Sequence, residues 1–164
     1  MGAMIPLAEL TPKRRPARPE DAPRLHAVYL ASPGYFRLLG SEPPALADVA
    51  RELEAAARDP RRRLELLYLN RRAVGVLDYK LDHPGPGEAA ISLVLVAEPY
   101  RGRGIGRRAV AALEAELKPR ARRLYAVVYG QNPGAERFFQ ALGYRYWKNG
   151  GPALRWYAKA LSEG

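Results

Sequence analysis

Pro99-Tyr100-Arg101-Gly102-Arg103-Gly104-Ile105-Gly106-Arg107-Arg108 is the stretch on which the reading of this chain turns. Just upstream, Ala89 to Val96 is a β-rich apolar run that reads as a well-buried strand. Just downstream, Ile105, Ala109, Ala112, Leu113 and Leu117 recur at helical spacing and predict a helix opening near Gly104. Between strand and helix stand Gly102, Gly104 and Gly106, with arginines interleaved. Glycine lets backbone N–H groups converge on an anion with no Cβ in the way. A helix N-terminus adds unsatisfied donors and a partial positive charge, so the stretch suits a pyrophosphate.

Three readings compete for it. A dinucleotide fingerprint G-x-G-x-x-G fails because Arg107 stands where the third glycine belongs, and a P-loop fails because no G-K-[ST] follows. An Arg/Gly-rich turn without a ligand is the bland alternative, weakened by the order strand, loop, helix.

Arg101-x-x-Gly104-x-Gly106 resembles the Q/R-x-x-G-x-G/A signature of the GNAT superfamily of acyl-CoA-dependent N-acyltransferases. The likeness extends upstream to Val96-Ala97-Glu98-Pro99-Tyr100, similar to the V-x-P segment that ends the family's fourth strand. Downstream, Asn132, Ala135, Phe138, Phe139, Gly143 and Tyr144 resemble its second motif, N-x-x-A-x-x-F-Y-x-x-x-G-F. The resemblance covers the C-terminal half of the chain and implies an α/β (α+β layered) single domain. Its central sheet would be mixed and mostly antiparallel, with about four helices.

The 164 residues fit one domain, expected over 13–161 behind a flexible N-terminal arm, 1–12. With no cysteine, disulfides, thiolate metal sites and cysteine nucleophiles are excluded, and no metal is expected. No apolar run reaches the length of a membrane span, and the start lacks the core of a secretory signal; a cytoplasmic location without membrane contact is expected. The formal charge of +10 fits an anionic cosubstrate or nucleic acid. The arginines are scattered and lack an aromatic-interleaved platform, so nucleic acid is the minority reading.

Along the chain, Lys13 to Ala17 reads as an edge strand, and Pro19 to Pro23 opens a helix carrying Leu25, Val28 and Tyr29. Ser32-Pro33-Gly34 breaks it, and Tyr35 to Gly40 reads as an aromatic loop. Leu46, Val49, Ala50 and Leu53 mark a second helix ended at Asp59-Pro60. Strands follow over 64–69 and 73–81, then the turn His83 to Gly87 into the central strand. Leu124 to Tyr129 is a further strand, Asn132-Pro133 caps a helix ended by Gly143, and strands over 144–148 and 153–159 close the chain.

The resemblance implies acetyl-CoA as cosubstrate and an amine, on a small molecule or a peptide, as acceptor. It implies that the pantetheine pairs with backbone groups of Val94, Leu95 and Val96. The pyrophosphate would lie on Arg101, Gly102, Arg103, Gly104, Ile105, Gly106 and Arg107. Asn132 would touch the cosubstrate as well as capping its helix, and Phe139 would pack against it. The family often carries a tyrosine at the position of Phe139 to protonate the leaving thiolate; a phenyl ring has no proton to give. Tyr129 and Tyr125, on one face of their strand, are the nearest alternatives. At the position of the family's frequent glutamate base stands Ser92. If the hairpin centres on Gly85, opposed residues sum to about 170 and Asp78 faces Ser92, so Asp78 with a water held by Ser92 is a candidate base. Tyr35 and Phe36 are candidates for the acceptor cavity. A homodimer is a further expectation from the family. The competing functions are a coenzyme A sensor without turnover, suggested by Ser92 and Phe139, and a basic nucleic-acid-associated protein.

Overall fold

In the computed structural model, described for residues 10–162, seven strands form one sheet in the order β1-β2-β3-β4-β5-β7-β6. The strands are β1 Lys13–Pro16, β2 Arg62–Leu69, β3 Arg72–Leu81, β4 Glu88–Val96, β5 Arg123–Tyr129, β6 Arg145–Asn149 and β7 Leu154–Ala160. Every neighbouring pair is antiparallel except β4 and β5, so the expected mixed, mostly antiparallel sheet is what forms. The expected arm falls largely outside the described residues, which begin at Leu10.

Five helices pack on the sheet: α1 Ala22–Leu30, α2 Pro33–Leu38, α3 Leu46–Arg58, α4 Ile105–Leu117 and α5 Pro133–Ala141. Where the sequence predicts an aromatic loop, α2 forms instead. Ser32-Pro33-Gly34 does end α1, but Pro33 then occupies the first turn of a new helix, where its fixed φ and missing N–H carry no cost. One break signal thus serves as a stop and a start.

Two apolar cores lie on opposite faces. On one, α1 and α3 bury Leu25, Val28, Tyr29, Val49 and Leu53 against Leu64, Leu66, Val76 and Leu95 of the sheet. On the other, α4 and α5 bury Ala109, Val110, Leu113, Leu117 and Phe139 against Leu77, Ile91, Leu124, Ala126 and Val128. The alternation of Val76 and Leu77 between the two cores is the period of two that a strand covered on both faces requires. Removing a fully buried side chain such as Leu53 by truncation to alanine would cost about 2–5 kcal/mol.

The β3–β4 hairpin departs from the expected register. Leu81↔Ala89, Lys80↔Ala90 and Tyr79↔Ile91 pair as a simple count from Gly85 predicts, but Asp78 then faces Leu93 rather than Ser92. Ser92 is the extra residue of a β-bulge, its Oγ donating to the Asp78 carbonyl at 3.3 Å. No residue in the hairpin marks this insertion locally, which is why counting misses it.

Candidate functional site

The bulge sits where the sheet divides. β4 and β5 are paired from Glu88↔Arg123 to Ile91↔Ala126 and no further, although both strands continue. Beyond that point β4 is bonded to β3 on one side, and its opposite edge faces a cleft of about 760 Å³. Ser92, Leu93, Val94, Leu95 and Val96 line one wall of this cleft, and Val127, Val128 and Tyr129 line the other. A strand edge of unpaired N–H and C=O groups is an acceptor for an extended, amide-bearing chain.

At the end of β4 the glycine loop closes the cleft. Gly102 and Gly104 both adopt φ of +79°, and Gly104 is the N-cap of α4. The first bond within that helix runs from the Arg108 N–H to the Gly104 carbonyl at 3.0 Å. The N–H groups of Ile105, Gly106 and Arg107 therefore precede the helical ladder and remain free to bind an anion. A Cβ on Gly104 would come within 2.5 Å of Arg108 Nη1 in addition to the strained φ. Arg101, Gly102, Gly104, Ile105, Gly106 and Arg107 all line the cleft. Arg103 is the exception among the expected cosubstrate residues: its guanidinium lies 5.8 Å from the centre of the Tyr100 ring, and it lines a different cavity.

Asn132 caps α5, its Oδ1 accepting from the Ala135 N–H at 3.0 Å. Because the cap uses only the oxygen, the amide NH₂ is left as a donor in the cleft that Asn132 also lines. Phe139 is buried edge-to-face between Phe138 and Tyr144, with centroids 5.0 and 5.3 Å apart, and borders the cleft as an apolar wall.

Tyr35 and Leu38 of α2 close the far end of the cleft opposite Tyr129. Phe36 points the other way. It packs edge-to-face on Tyr29 at 5.3 Å, within the core of α1 and α3, and does not line the cleft. Tyr129 remains 40% exposed at the end of β5. Burial holds its phenol above the ordinary range, the negative Asp78 pushes the same way, and Arg62 opposes both. Burial likewise raises Tyr35.

Asp78 does not reach the cleft as the sequence reading places it. The buried carboxylate takes a fork of two bonds from Arg62, Nε to Oδ1 at 3.2 Å and Nη2 to Oδ2 at 2.8 Å. Both oxygens are thereby engaged, and among the described residues no Asp, Glu or His lines the cleft. Nearby, Tyr29 donates to Glu52 at 2.8 Å, and burial followed by that carboxylate raises the Tyr29 phenol. Sequence reasoning does not single out Arg62, which becomes diagonal to Asp78 only because a register shift between Leu67 and Tyr68 moves the β2–β3 pairing by one residue. His26 and His83 lie outside the cleft; His83 stacks near Trp156 at 5.9 Å, its imidazole pushed below the ordinary range by burial, then Lys80 and Arg61.

The model of the Acetyltransferase (GNAT) family matches residues 25–144. No curated protein matches the chain. Among solved structures, an acetyltransferase from Thermus thermophilus is 51% identical, with a TM-score of 0.89 covering 92% of this chain and 97% of that one. An acetyltransferase from Salmonella typhimurium that modifies the N-terminal serine of ribosomal protein L7/L12 shares the fold at 17% identity, TM-score 0.76, over 92% and 95% of the two chains. The PaiA N-acetyltransferase of Thermoplasma acidophilum, solved with coenzyme A, does so at 14% identity and TM-score 0.71, over 92% and 99%. With a family match that spans most of the sequence, on a sheet split beside a glycine-capped helix, the chain belongs to the GNAT acetyltransferase family.

Proposed function

We propose that this chain transfers the acetyl group of acetyl-CoA to an amine by direct attack. The observation that carries the reading is the convergence, in one cleft, of the β4 edge over 92–96 with the N–H groups of Ile105, Gly106 and Arg107. That edge is unpaired with β5, and among the described residues only the Val96 carbonyl is engaged, by Arg101 Nε at 3.1 Å. The edge fits the amides of a pantetheine arm, as an added strand, and the helix start fits its pyrophosphate. Gly106 leaves room there, since the space its Cβ would fill is bounded by Val94 and Phe138.

In the reaction the amine nitrogen bonds to the acetyl carbon and the carbon–sulfur bond breaks. One proton leaves the nitrogen and one is gained by sulfur. Tyr129 is the residue suited to the second transfer: its phenol lines the cleft, is partly exposed there and carries an O–H to donate. Phe139 supplies packing only. The first proton passes to water in the open cleft, because no carboxylate or imidazole of the described residues lines it. Ser92, whose Oγ donates to the Asp78 carbonyl, keeps its lone pairs for such a water. Asp78 acts here as the anchor of Arg62 rather than as the base. Tyr35 and Leu38 border the acceptor end.

Release of coenzyme A thiol, followed across a panel of amines with acetyl-CoA, tests the proposal. Amine-dependent release with a matching mass gain on the amine is the expected result. Tight coenzyme A binding with no release from any amine would replace it with a sensor function.

A further inference from the structure

A second cavity, of about 680 Å³, lies on the other side of Tyr100 from the cleft. Four arginines line it: Arg24 of α1, Arg71 and Arg72 at the β2–β3 turn, and Arg103 of the glycine loop. No Asp or Glu is among its lining residues. Tyr100 is the wall shared with the cleft; it accepts from Arg72 Nη1 at 2.9 Å and carries the Arg103 guanidinium over its ring. Among the described residues, Arg71, Arg72 and Arg103 enter no ion pair, and Arg24 pairs only with Asp21 at 3.0 Å. Four guanidinium groups around one hollow repel one another, and the surrounding chain, at +10, supplies little to offset that.

We infer that this cavity binds a phosphate-rich anion of nucleotide size, at a site separate from the acetyl-CoA cleft. Guanidinium forks match phosphate oxygens in pairs, and several convergent forks suit a compact group of high charge. All four arginines are exposed, so the hollow is open to solvent and a charged group enters it without crossing an apolar rim. A carboxylate-bearing peptide carries its charges one per residue along a chain, and so presents fewer of them to one hollow.

Tripolyphosphate titrated calorimetrically into the full chain, already saturated with coenzyme A, tests the inference. The cosubstrate reading enters only in filling the cleft, and coenzyme A binding is measured first, so a failure there registers separately. One equivalent of tripolyphosphate should still bind, and Arg24→Glu with Arg71→Glu should weaken it by about tenfold or more while coenzyme A affinity stays within about threefold. The milder Arg71→Gln, checked for an unchanged melting curve, should weaken it in the same direction. No heat from the coenzyme A-saturated protein would overturn the inference, because the anion would then be using the glycine loop. So would binding indifferent to both variants, or a polyglutamate peptide binding as tightly as tripolyphosphate.

Discussion

Gly106→Ala and Gly104→Ala separate chain stiffening from anion binding, and the geometry gives the sense of each. Gly106 is the second residue of α4 and has ordinary helical φ, so alanine adopts its backbone without strain. An added Cβ would lie 3.5 Å from Phe138 Cε1 and Cζ and 3.6 Å from Val94 Cγ1, all ordinary van der Waals contacts. Replacing glycine there lowers the entropy of the unfolded chain and should stabilise the free protein by about 0.5 kcal/mol. For a chain of this size that is roughly 1–2 °C in Tm. The signature that this stretch resembles takes glycine or alanine at this position, so on the proposed reading coenzyme A affinity should stay within about threefold. Gly104→Ala is the contrasting change: it must hold φ of +79° and bring a Cβ within 2.5 Å of Arg108 Nη1. Left-handed strain costs about 1–2 kcal/mol, and a loop that relaxes it turns the α4 N–H groups away from the anion, so Kd for coenzyme A should rise about five- to thirtyfold. Melting curves with and without coenzyme A, paired with calorimetry on both variants, read these effects. A Gly104→Ala variant that binds coenzyme A as tightly as the parent would refute the anion cradle at the start of α4.

Asp78→Asn should destabilise the fold by about 2 kcal/mol in urea titrations. It leaves the Arg62 guanidinium half-satisfied, and that side chain's 25% exposure keeps the loss below that of a fully buried pair. Its pH–rate profile should match the parent; loss of one limb would return Asp78 to the role of base. Tyr129→Phe should lower kcat by about ten- to a hundredfold with little change in KM for acetyl-CoA, and an unchanged kcat would remove the phenol from the reaction. Stability should fall above about pH 10. Burial first raises Tyr29 and Tyr144, and their bonds to Glu52 at 2.8 Å and Glu114 at 2.7 Å act in the same sense. The unfolded chain therefore loses these protons first, and stability present below pH 10 drains away at roughly 1.4 kcal/mol per pH unit for each phenol. A flat urea midpoint from pH 9 to 11 would contradict this.

The parts of the fold legible in the sequence are those set by local chemistry. The helix start at Gly104 follows from apolar spacing and glycine, and the Asn132-Pro133 cap from side chains that act within three residues. The α2 helix is hidden because Pro33 signals both an end and a beginning. Phe36 is legible as apolar, but its direction depends on how α2 sits over Tyr29, which no short-range pattern encodes. Arg103 looks like its neighbours in the loop, and only the three-dimensional turn sends it to the other side of Tyr100. The Arg62–Asp78 fork is not reached by counting back from the Asn70 turn, which would set Asp78 opposite Arg63. An extra residue at Val74 shifts the register by one, pairs Asp78 with Leu64 and makes Arg62 its diagonal neighbour.

The extra residue at Ser92 cannot be dismissed as a local irregularity, because the two cores record it independently of the hydrogen-bond register. Ala89 and Ile91 face α4 and α5, whereas Leu93 and Leu95 face α1 and α3. Residues two apart on a regular strand share a face, so one insertion must lie between 91 and 93. Pairing with β5 ends at Ile91↔Ala126, on the last residue before that insertion. A chain that removed the bulge would turn Leu95, which is 2% exposed, out of the α1–α3 core, and would turn Val94 away from α4 and α5. The apolar pattern of β4 and the open edge are therefore one constraint: the side chains that fill both cores hold the bulge in place, and the bulge is what frees residues 92–96 from β5. Substitutions in this strand that preserve apolar volume should leave the cleft intact, while any change that restores simple alternation must sacrifice one core to close it.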